Sequence, residues 1–362
     1  MAKFEGLQWA PRQMHYVLPE KQFELLDHDS RVYAISRSIH YAMFLAFEGI
    51  RFFCQKDVGG GLKLVFLNWN RNLERFRNGI SFNLSREQQG LTPSAEELEH
   101  LIVHRYFQDP SMRPFLEEMA STGSQGYLRP FTVDEEQSIG VTFPGRPAVR
   151  AAASRYDRYL GEPFLGVTVP KMVRALGINK TGCLKLGVNY LMSAKAVDHA
   201  RGIEPSAAAA LFLDDRIHEP LEARHITEWD SSCCLFGFTD GTVVKIPESN
   251  LILPSVTING IVSILKEMGV TVEERHLSYG DLLRTVREEK LVAVCSVGTA
   301  GILNRCQKLL LTDERDEVIA VHQEKKDHPL YRKLGQARET YWDIYRGKAK
   351  LPGGMNLFIY NI

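Results

Sequence analysis

The sequence predicts an α+β protein of two domains, and three observations carry that reading. The chain has 362 residues, too many for one ordinary core. Its first half mixes hairpin-forming strands with an amphipathic helix. Between residues 154 and 163 the pattern then breaks into charged residues and tyrosines, Arg155-Tyr156-Asp157-Arg158-Tyr159. The break reads as a linker over 155–163, between a small α+β domain over 1–154 and a large domain over 164–362. A long loop inside one domain is the other reading.

The elements follow in order. Residues 1–28 carry no clear period, and 36–46 are apolar and aromatic. Residues 47–54 read as a buried strand, 57–61 as a turn by their glycines, and 63–67 as the returning strand. Residues 70–76 read as a short polar helix. Residues 93–107 read as an amphipathic helix opened by Ser94 with Glu97 three later, a capping box. Strands are predicted at 126–131 and 147–153, then at 164–169, 207–213, 233–238 and 243–244. Residues 256–268 form a helix that Gly269 stops. A strand at 270–274, a helix at 279–286 and a buried strand at 291–297 complete the set.

Composition excludes several functions. Basic and acidic residues balance at 44 each, so charge makes no case for nucleic acid or an anionic membrane. No apolar run approaches the roughly 20 residues of a membrane helix. Met1-Ala2-Lys3-Phe4-Glu5 lacks the apolar core of a signal peptide. Cys54, Cys183, Cys233, Cys234, Cys295 and Cys306 form no CxxC pair and no disulfide framework, so reduced thiols and a cytoplasmic location are expected. Cys233 and Cys234 would point to opposite faces of a strand. His100 and His104 stand four apart on a helix with nothing to complete a metal site, and no metal is expected.

Four features of the second half carry chemistry. Lys185 ends a short apolar run, Gly187 permits a sharp turn, and Leu191, Ala194, Val197 and Ala200 are spaced as a helix. Lys185 at such a strand-to-helix corner is either a nucleophilic amine or a surface lysine. Thr227-Glu228 places a carboxylate just before a strand, or in a solvated loop. Leu253-Pro254-Ser255-Val256-Thr257 opens a helix whose first N–H groups suit a phosphate, or an ordinary capped helix. Cys295 to Gly301 runs a strand into a small-residue turn, which either presents amides to an anion or does not.

Taken together and in this order, these features resemble the branched-chain amino-acid aminotransferases, fold-type IV pyridoxal phosphate enzymes. Lys185-Leu186-Gly187-Val188-Asn189-Tyr190 resembles the family's lysine motif, and Thr227-Glu228 its Thr-Glu pair. Leu253 to Thr257 resembles its helix start, and Val297-Gly298-Thr299-Ala300 its small-residue loop. In the first half the similar segments are His40-Tyr41, Phe47-Glu48-Gly49-Ile50-Arg51, Asn72-Leu73-Glu74-Arg75, Tyr127-Leu128-Arg129-Pro130 and Ser138-Ile139-Gly140-Val141. Pro170-Lys171-Met172-Val173-Arg174 resembles the stretch before the catalytic lysine.

The resemblance implies a larger C-terminal domain with a β-barrel-like core, and it implies roles. Lys185 would hold pyridoxal phosphate on its amine and move the substrate's Cα proton. Glu228 would keep the pyridine nitrogen protonated, and Tyr190 would hydrogen-bond the ring O3′. Arg75, Val256, Thr257 and Thr299 would hold the phosphate. Thr299, Ala300 and Ser231 would take the α-carboxylate. Tyr41, Phe47, Tyr127 and Arg129 would line the side-chain pocket. Arg129, with Arg51, would meet the distal carboxylate of glutamate or 2-oxoglutarate. Ile139 and Val141 would come from the other subunit of a homodimer. The implied reaction moves an amino group between an aliphatic L-amino acid and 2-oxoglutarate.

The chain departs from the family pattern at Val188, Ser255, Ser296 and Val297, and one residue appears extra between Tyr41 and Phe47. Beyond Glu228 stand Trp229, Asp230 and Cys234. If the segment is extended, Asp230 shares a face with Glu228 and Trp229 adds bulk beside it. Those changes point to a specialised aminotransferase with a retuned amino donor. The alternative is that Asp230 caps a turn. A fold-type IV lyase, a D-amino-acid aminotransferase and a non-enzymatic scaffold are further rivals. The Tyr-x-Arg-Pro strand and the lysine motif speak against the first two, and the set Lys185, Glu228, Tyr190 and Arg75 against the third.

Overall fold

The computed structural model describes residues 4–42, 44–57, 59–159, 161 and 164–362. Outside them lie Met1, Ala2 and Lys3 of the N-terminal stretch, Met43, Val58 of the predicted turn, and Leu160, Glu162 and Pro163 of the predicted linker. Helix and strand mix throughout, as an α+β chain. The chain divides into two units. The first comprises Met1–Leu160, Leu184–Val188 and Asn356–Ile362, the second Gly161–Cys183 and Asn189–Met355.

The first unit begins with β1 (Phe4–Glu5), β2 (Gln8–Val17), β3 (Gln22–Asp27) and the short helix α1 (Arg37–Tyr41). The hairpin β4 (Ile50–Lys56) and β5 (Leu62–Leu67) follows, then α2 (Trp69–Phe82). Next, α3 (Ala95–Glu99) continues as a π-helix over His100–Phe107, before α4 (Arg113–Thr122), β6 (Gln125–Asp134), β7 (Pro147–Tyr156) and β8 (Arg158–Tyr159). Among the described residues a seven-stranded sheet has the order Leu357–Asn361, β5, β4, β6, β7, β2, β3. One face carries Phe52, Phe66, Leu128, Ala151 and Ala153, packed with Leu73 and Phe76 of α2 and Ile102 and Phe107 of the π-helix. Burying each large apolar side chain stabilises by about 1.5–3 kcal/mol, which is why the helices cover this face.

The predicted hairpin and the strands at 126–131 and 147–153 are present. So is the Ser94 cap, which accepts the Glu97 N–H at 3.0 Å, while the Glu97 carboxylate takes the Tyr16 hydroxyl at 2.5 Å. The helix predicted over 93–107 changes to π geometry at His100, and the one predicted over 70–76 extends to Phe82 because Ile80 also meets the core. The His100 and His104 rings lie 5.5 Å apart, but no group of three or more potential metal ligands occurs among the described residues. The stretch without a period contains β2 and β3. Consecutive residues at the end of β2 are all buried, so no alternation was there to read.

The second unit contains β9 (Phe164–Thr168), α5 (Gly187–Ile203, whose first two residues group with the first unit), β10 (Ala209–Leu213), β11 (Ile226–Trp229), β12 (Cys233–Phe238) and β13 (Val243–Lys245). Then come α6 (Val256–Glu267), β14 (Val272–Glu274), α7 (Tyr279–Arg287), β15 (Leu291–Gly298), β16 (Ile302–Thr312), β17 (Val318–Gln323) and α8 (Pro329–Tyr345). A curled half-barrel sheet runs β11, β10, β9, β16, β15, β12, β13, β14, with β17 on β16. Ala196 and Ala200 of α5 pack on Val167, Val169 and Phe212.

Two local expectations are corrected. Gly187 makes no sharp turn: it opens α5 and is not among the positive-φ residues. Lys185 does not end a strand either, since only its neighbour Leu186 forms a single bridge, to Ala46.

Candidate active site

In the first unit, residues 45–48 run beside residues 185–187. The Phe47 N–H donates to the Lys185 carbonyl at 3.0 Å, and the Gly187 N–H to the Leu45 carbonyl at 2.8 Å. These bonds fix the lysine's backbone. Its Nζ stands 5.1 Å from the centroid of the Phe47 ring. The Arg129 guanidinium is 4.7 Å from the same ring and 5.1 Å from the Tyr127 ring, a cation–π arrangement. Its Nη2 donates to the Tyr127 hydroxyl at 2.8 Å.

Sheet register explains this grouping. Tyr127 and Arg129 alternate with buried residues on β6, on the sheet face opposite the helices. Arg51 pairs directly with Tyr127 across β4 and β6, so it shares that face. It is buried, with its guanidinium 5.7 Å from the Tyr156 ring and hydrogen-bonded to Gln125. An ideal Cβ on Gly49 would come within 2.1 Å of the Tyr127 hydroxyl, so the phenol occupies room that only glycine leaves.

Residue 48 delivers a carboxylate to the interior. Glu48 is fully buried and takes the Arg75 Nε at 2.6 Å and Nη2 at 2.5 Å, a fork-to-fork pair. Burial pushes its carboxyl up, but the charges of Arg75 and Lys185 and the Gly49 N–H outweigh burial and leave it below the usual range. Sequence reading assigned Glu48 no role. A carboxylate beside Phe47, in a mostly apolar run whose other charge is Arg51, was the available signal.

Tyr41 ends α1, and its hydroxyl donates to the Ile139 carbonyl at 2.7 Å. The structure thus brings Tyr41 to the loop of Ile139 and Val141. Those two side chains are 62% and 74% exposed.

In the second unit Glu228 lies ahead of β12, as expected, but on a strand of its own, β11. Leu213 pairs with Ile226 and Leu211 with Trp229, so β11 carries one residue more than β10 between those pairs. That is a β-bulge, and bulges re-aim side chains. Thr227 satisfies the backbone there by donating to the Phe212 carbonyl at 3.2 Å. Glu228 is buried and ion-paired with Arg174. The Arg174 Nη2 also donates to the carbonyls of Gly182, at 2.8 Å, and Leu251, at 3.0 Å. Arg174, quoted only as part of a matching stretch, is therefore the residue that holds Glu228.

The pairing Cys233 with Val297 sets Ser231 and Ser232, before β12, beside the Gly298-Thr299-Ala300 turn after β15. The Ser232 and Ser296 hydroxyls are 2.6 Å apart. Cys233 donates through Sγ to the Leu253 carbonyl at 3.3 Å, which ties this edge to the start of α6. There Ser255 caps the helix by accepting the Ile258 N–H at 3.2 Å. The cap takes the third N–H, so those of Val256 and Thr257 are offered to an anion. Ser255 therefore reinforces the helix start. Tyr190 is half-buried in the first turn of α5.

The expected crowding beyond Glu228 does not occur. Trp229 points into the core: its indole donates to the Cys295 carbonyl at 3.2 Å and meets Phe164 edge-on at 5.4 Å. Asp230 accepts the Ala210 N–H at 3.1 Å as a turn residue. Cys234 donates to the Thr227 carbonyl at 3.4 Å, and burial pushes its thiol well up.

The first unit offers an amine on a fixed backbone and a buried guanidinium. The second offers a buried carboxylate held by a cation and the N–H groups of a helix start. Each set is of a kind that a phosphorylated pyridine aldehyde requires. No family model matches the chain. It is 27% identical over 195 residues to branched-chain-amino-acid aminotransferase 2 of Bacillus subtilis, a match spanning 53% of this chain and 51% of that one. It is 24% identical over 316 residues to a probable branched-chain-amino-acid aminotransferase of Staphylococcus aureus, spanning 86% and 78%. The crystal structure of the branched-chain aminotransferase from Thermoproteus uzoniensis with norvaline superposes with a TM-score of 0.66 at 20% identity, covering 93% of this chain and 96% of that one. The branched-chain amino acid aminotransferase from Thermobaculum terrenum, in its PLP form, superposes with a TM-score of 0.67 at 15% identity, covering 96% and 98%.

Proposed function

We infer that this chain, a member of the branched-chain-amino-acid aminotransferase family of fold-type IV pyridoxal phosphate enzymes, transfers an amino group between an aliphatic L-amino acid and 2-oxoglutarate. One observation carries the reading most directly: the Lys185 amine and the Arg129 guanidinium stand over the same Phe47 ring. A transaminase using glutamate needs such an amine for its cofactor. It also needs a cation for the carboxylate that leucine lacks and glutamate has.

The roles proposed for each group are those that the family resemblance implies. Lys185 Nζ would hold the cofactor and would take the proton from the substrate Cα. Bound pyridoxal phosphate supplies a ring that draws off the electron pair left at that carbon. Glu228, oriented by Arg174, keeps the pyridine nitrogen protonated. Tyr190 donates to the ring O3′. Arg75 and the N–H groups of Val256 and Thr257, with Thr299, bind the phosphate. The amides of Thr299 and Ala300 and the Ser231 hydroxyl take the α-carboxylate. Phe47, Tyr41 and Tyr127 enclose an aliphatic side chain, while Arg129, with Arg51, takes a distal carboxylate.

We also propose a cytoplasmic homodimer in which Ile139 and Val141 enter the partner's pocket. Apolar side chains exposed at 62% and 74% support this, as do cysteines that are all free thiols. No helix among the described residues is long and apolar enough to cross a membrane.

The test is a spectrum and a donor panel. The purified protein should show pyridoxal phosphate absorption that Lys185→Ala abolishes. It should form glutamate from 2-oxoglutarate with leucine, isoleucine and valine at kcat/KM above roughly 10⁴ M⁻¹s⁻¹, ordinary enzyme efficiency. A protein that takes up no pyridoxal phosphate ends this reading. Sedimentation at the monomer mass ends the dimer.

A further inference from the structure

We propose that Arg37 is a positioning residue for substrate binding, because it clamps the loop that presents Ile139 and Val141. The inference rests on the reading above, in which that loop tip completes a substrate pocket.

Arg37 opens α1 and is 8% exposed. Its Nη1 donates to Asp134 Oδ2 at 2.8 Å and to Glu136 Oε2 at 2.5 Å, at the root of the loop. Its Nε donates to the Gly140 carbonyl at 3.0 Å, at the tip. One planar guanidinium therefore ties residues 134, 136 and 140 together. The neighbours reinforce the grip. Ser36 Oγ donates to the Asp134 carbonyl at 3.0 Å, and the Asp134 N–H donates to Ser38 Oγ at 2.9 Å. Asp134 Oδ1 accepts the N–H groups of Glu136 and Arg146, each at 3.1 Å, which closes the root.

Apart from Arg37, the tip is held by few bonds: the Thr142 N–H donates to the Gly140 carbonyl at 3.0 Å, the Gly140 N–H to Ser138 Oγ at 3.4 Å and the Tyr41 hydroxyl to the Ile139 carbonyl at 2.7 Å. Ile139, Val141 and Phe143 are 62%, 74% and 53% exposed, so their burial contributes little to ordering it. Ordering a loop residue costs backbone entropy. Charge-assisted bonds to a buried guanidinium are strong enough to offset part of that cost. Lysine could not replace the arginine, since a point charge with a flexible stem cannot span three acceptors in a plane. Losing the clamp should leave Lys185, Glu228 and the phosphate ligands in place and loosen only the tip. Substrate capture should then suffer more than turnover.

The experiment compares Arg37→Ala, Arg37→Lys and the double variant Ile139→Ala/Val141→Ala, alone and combined with Arg37→Ala. Arg37→Ala should raise KM for leucine about tenfold, or about 1.4 kcal/mol. Its kcat should stay within about twofold, and its cofactor absorption should be unchanged. Arg37→Lys should fall between it and the wild type, and it serves as the deciding variant if Arg37→Ala does not fold. Protease cleavage within residues 136–145 should accelerate in the arginine variants. The effect of Arg37→Ala should shrink in the double-variant background, because both act through one tip. If the tip variant raises KM while the arginine variants do not, the clamp is wrong and the loop reading stands. If the tip variant leaves KM unchanged, the loop reading falls and the clamp with it. Equal effects of Arg37→Ala in both backgrounds would also overturn the proposal, since they mark a general loss of structure.

Discussion

Glu228 and Glu48 are both buried carboxylates with an arginine partner, yet removing their charge should do different things. Glu228 sits on a bulge and meets Arg174. Glu48 lies just before β4 and meets Arg75 through both oxygens. A buried pair broken on one side leaves an uncompensated charge, at about 3–5 kcal/mol. Both Glu228→Gln and Glu48→Gln should therefore lower the melting temperature. Only Glu228→Gln should separate cofactor binding from turnover. An amide cannot keep a pyridine nitrogen protonated, so kcat should fall by at least about a hundredfold, within the range of general acid–base groups, while the absorption of bound pyridoxal phosphate persists. Near-normal kcat in Glu228→Gln would mean that another carboxylate faces the nitrogen. Sequence pattern alone marked Glu228 but misread its backbone, because a bulge changes pairing without changing the alternation of residue types.

At the scale of elements, the pairing of β4 with β6 sets the candidate site of the first unit. The strands are antiparallel, with Ile50 opposite Leu128 and Arg51 opposite Tyr127. Ile50 and Leu128 turn to the helices and the core, while Tyr127 and Arg129 turn the other way. The isolated bridge from Phe47 to Phe131 carries the same register past the end of β4. Gly49 is the gap in this arrangement. A methyl group there would stand 2.1 Å from the Tyr127 hydroxyl and 2.9 Å from its ring carbon. The Tyr127 ring would have to swing, and Arg129 would lose a hydrogen bond of 2.8 Å. Gly49→Ala should thus raise KM for 2-oxoglutarate about tenfold, in line with a lost hydrogen bond to a charged group. Stability should fall only modestly, by about 1–3 kcal/mol for overpacking. Tyr127→Phe removes the same hydroxyl without the clash and should reproduce the KM change. If Gly49→Ala leaves KM for 2-oxoglutarate untouched, the Tyr127–Arg129 bond does not serve the distal carboxylate.

Across the whole molecule, the sequence was most legible where one periodicity ran without interruption. The hairpin β4–β5, the strands β12 and β15 and the helix α6 all lie within a few residues of their predicted bounds. It was least legible where burial is continuous or the chain changes unit. The end of β2 is buried on both faces. Leu184–Val188 groups with the first unit although the residues on both sides group with the second, and so does Asn356–Ile362 at the chain's end. Such returns are long-range facts that a window of ten residues cannot hold. The candidate residues were found by motif, but their partners, Glu48, Arg174 and Arg37, became visible only through contacts distant in sequence. A similar long-range placement governs acid stability. His322 of β17 lies opposite Leu309 of β16 and is 4% exposed, and its Nε2 has no hydrogen-bond partner among the described residues. Burial, with a smaller contribution from Lys325, pushes it down from 6.5 to about 4. The unfolded chain protonates this histidine at a pH where the fold keeps it neutral. Between about 4 and 6.5 the unfolded state thus binds more protons, and stability falls as pH drops through that window. The full loss is roughly 3 kcal/mol, at about 1.4 kcal/mol per pH unit. Glu48, Glu135 and Asp214 are shifted below their ordinary values, so their contributions are lost only at more acid pH, as it falls through their folded pKa. The interval from pH 7 to pH 5 therefore isolates the histidine from these carboxylates. His322→Leu should lose less melting temperature over that interval than the wild type, by a few degrees for about 2 kcal/mol. Equal losses in the two proteins would show that His322 is protonated as readily in the fold as outside it.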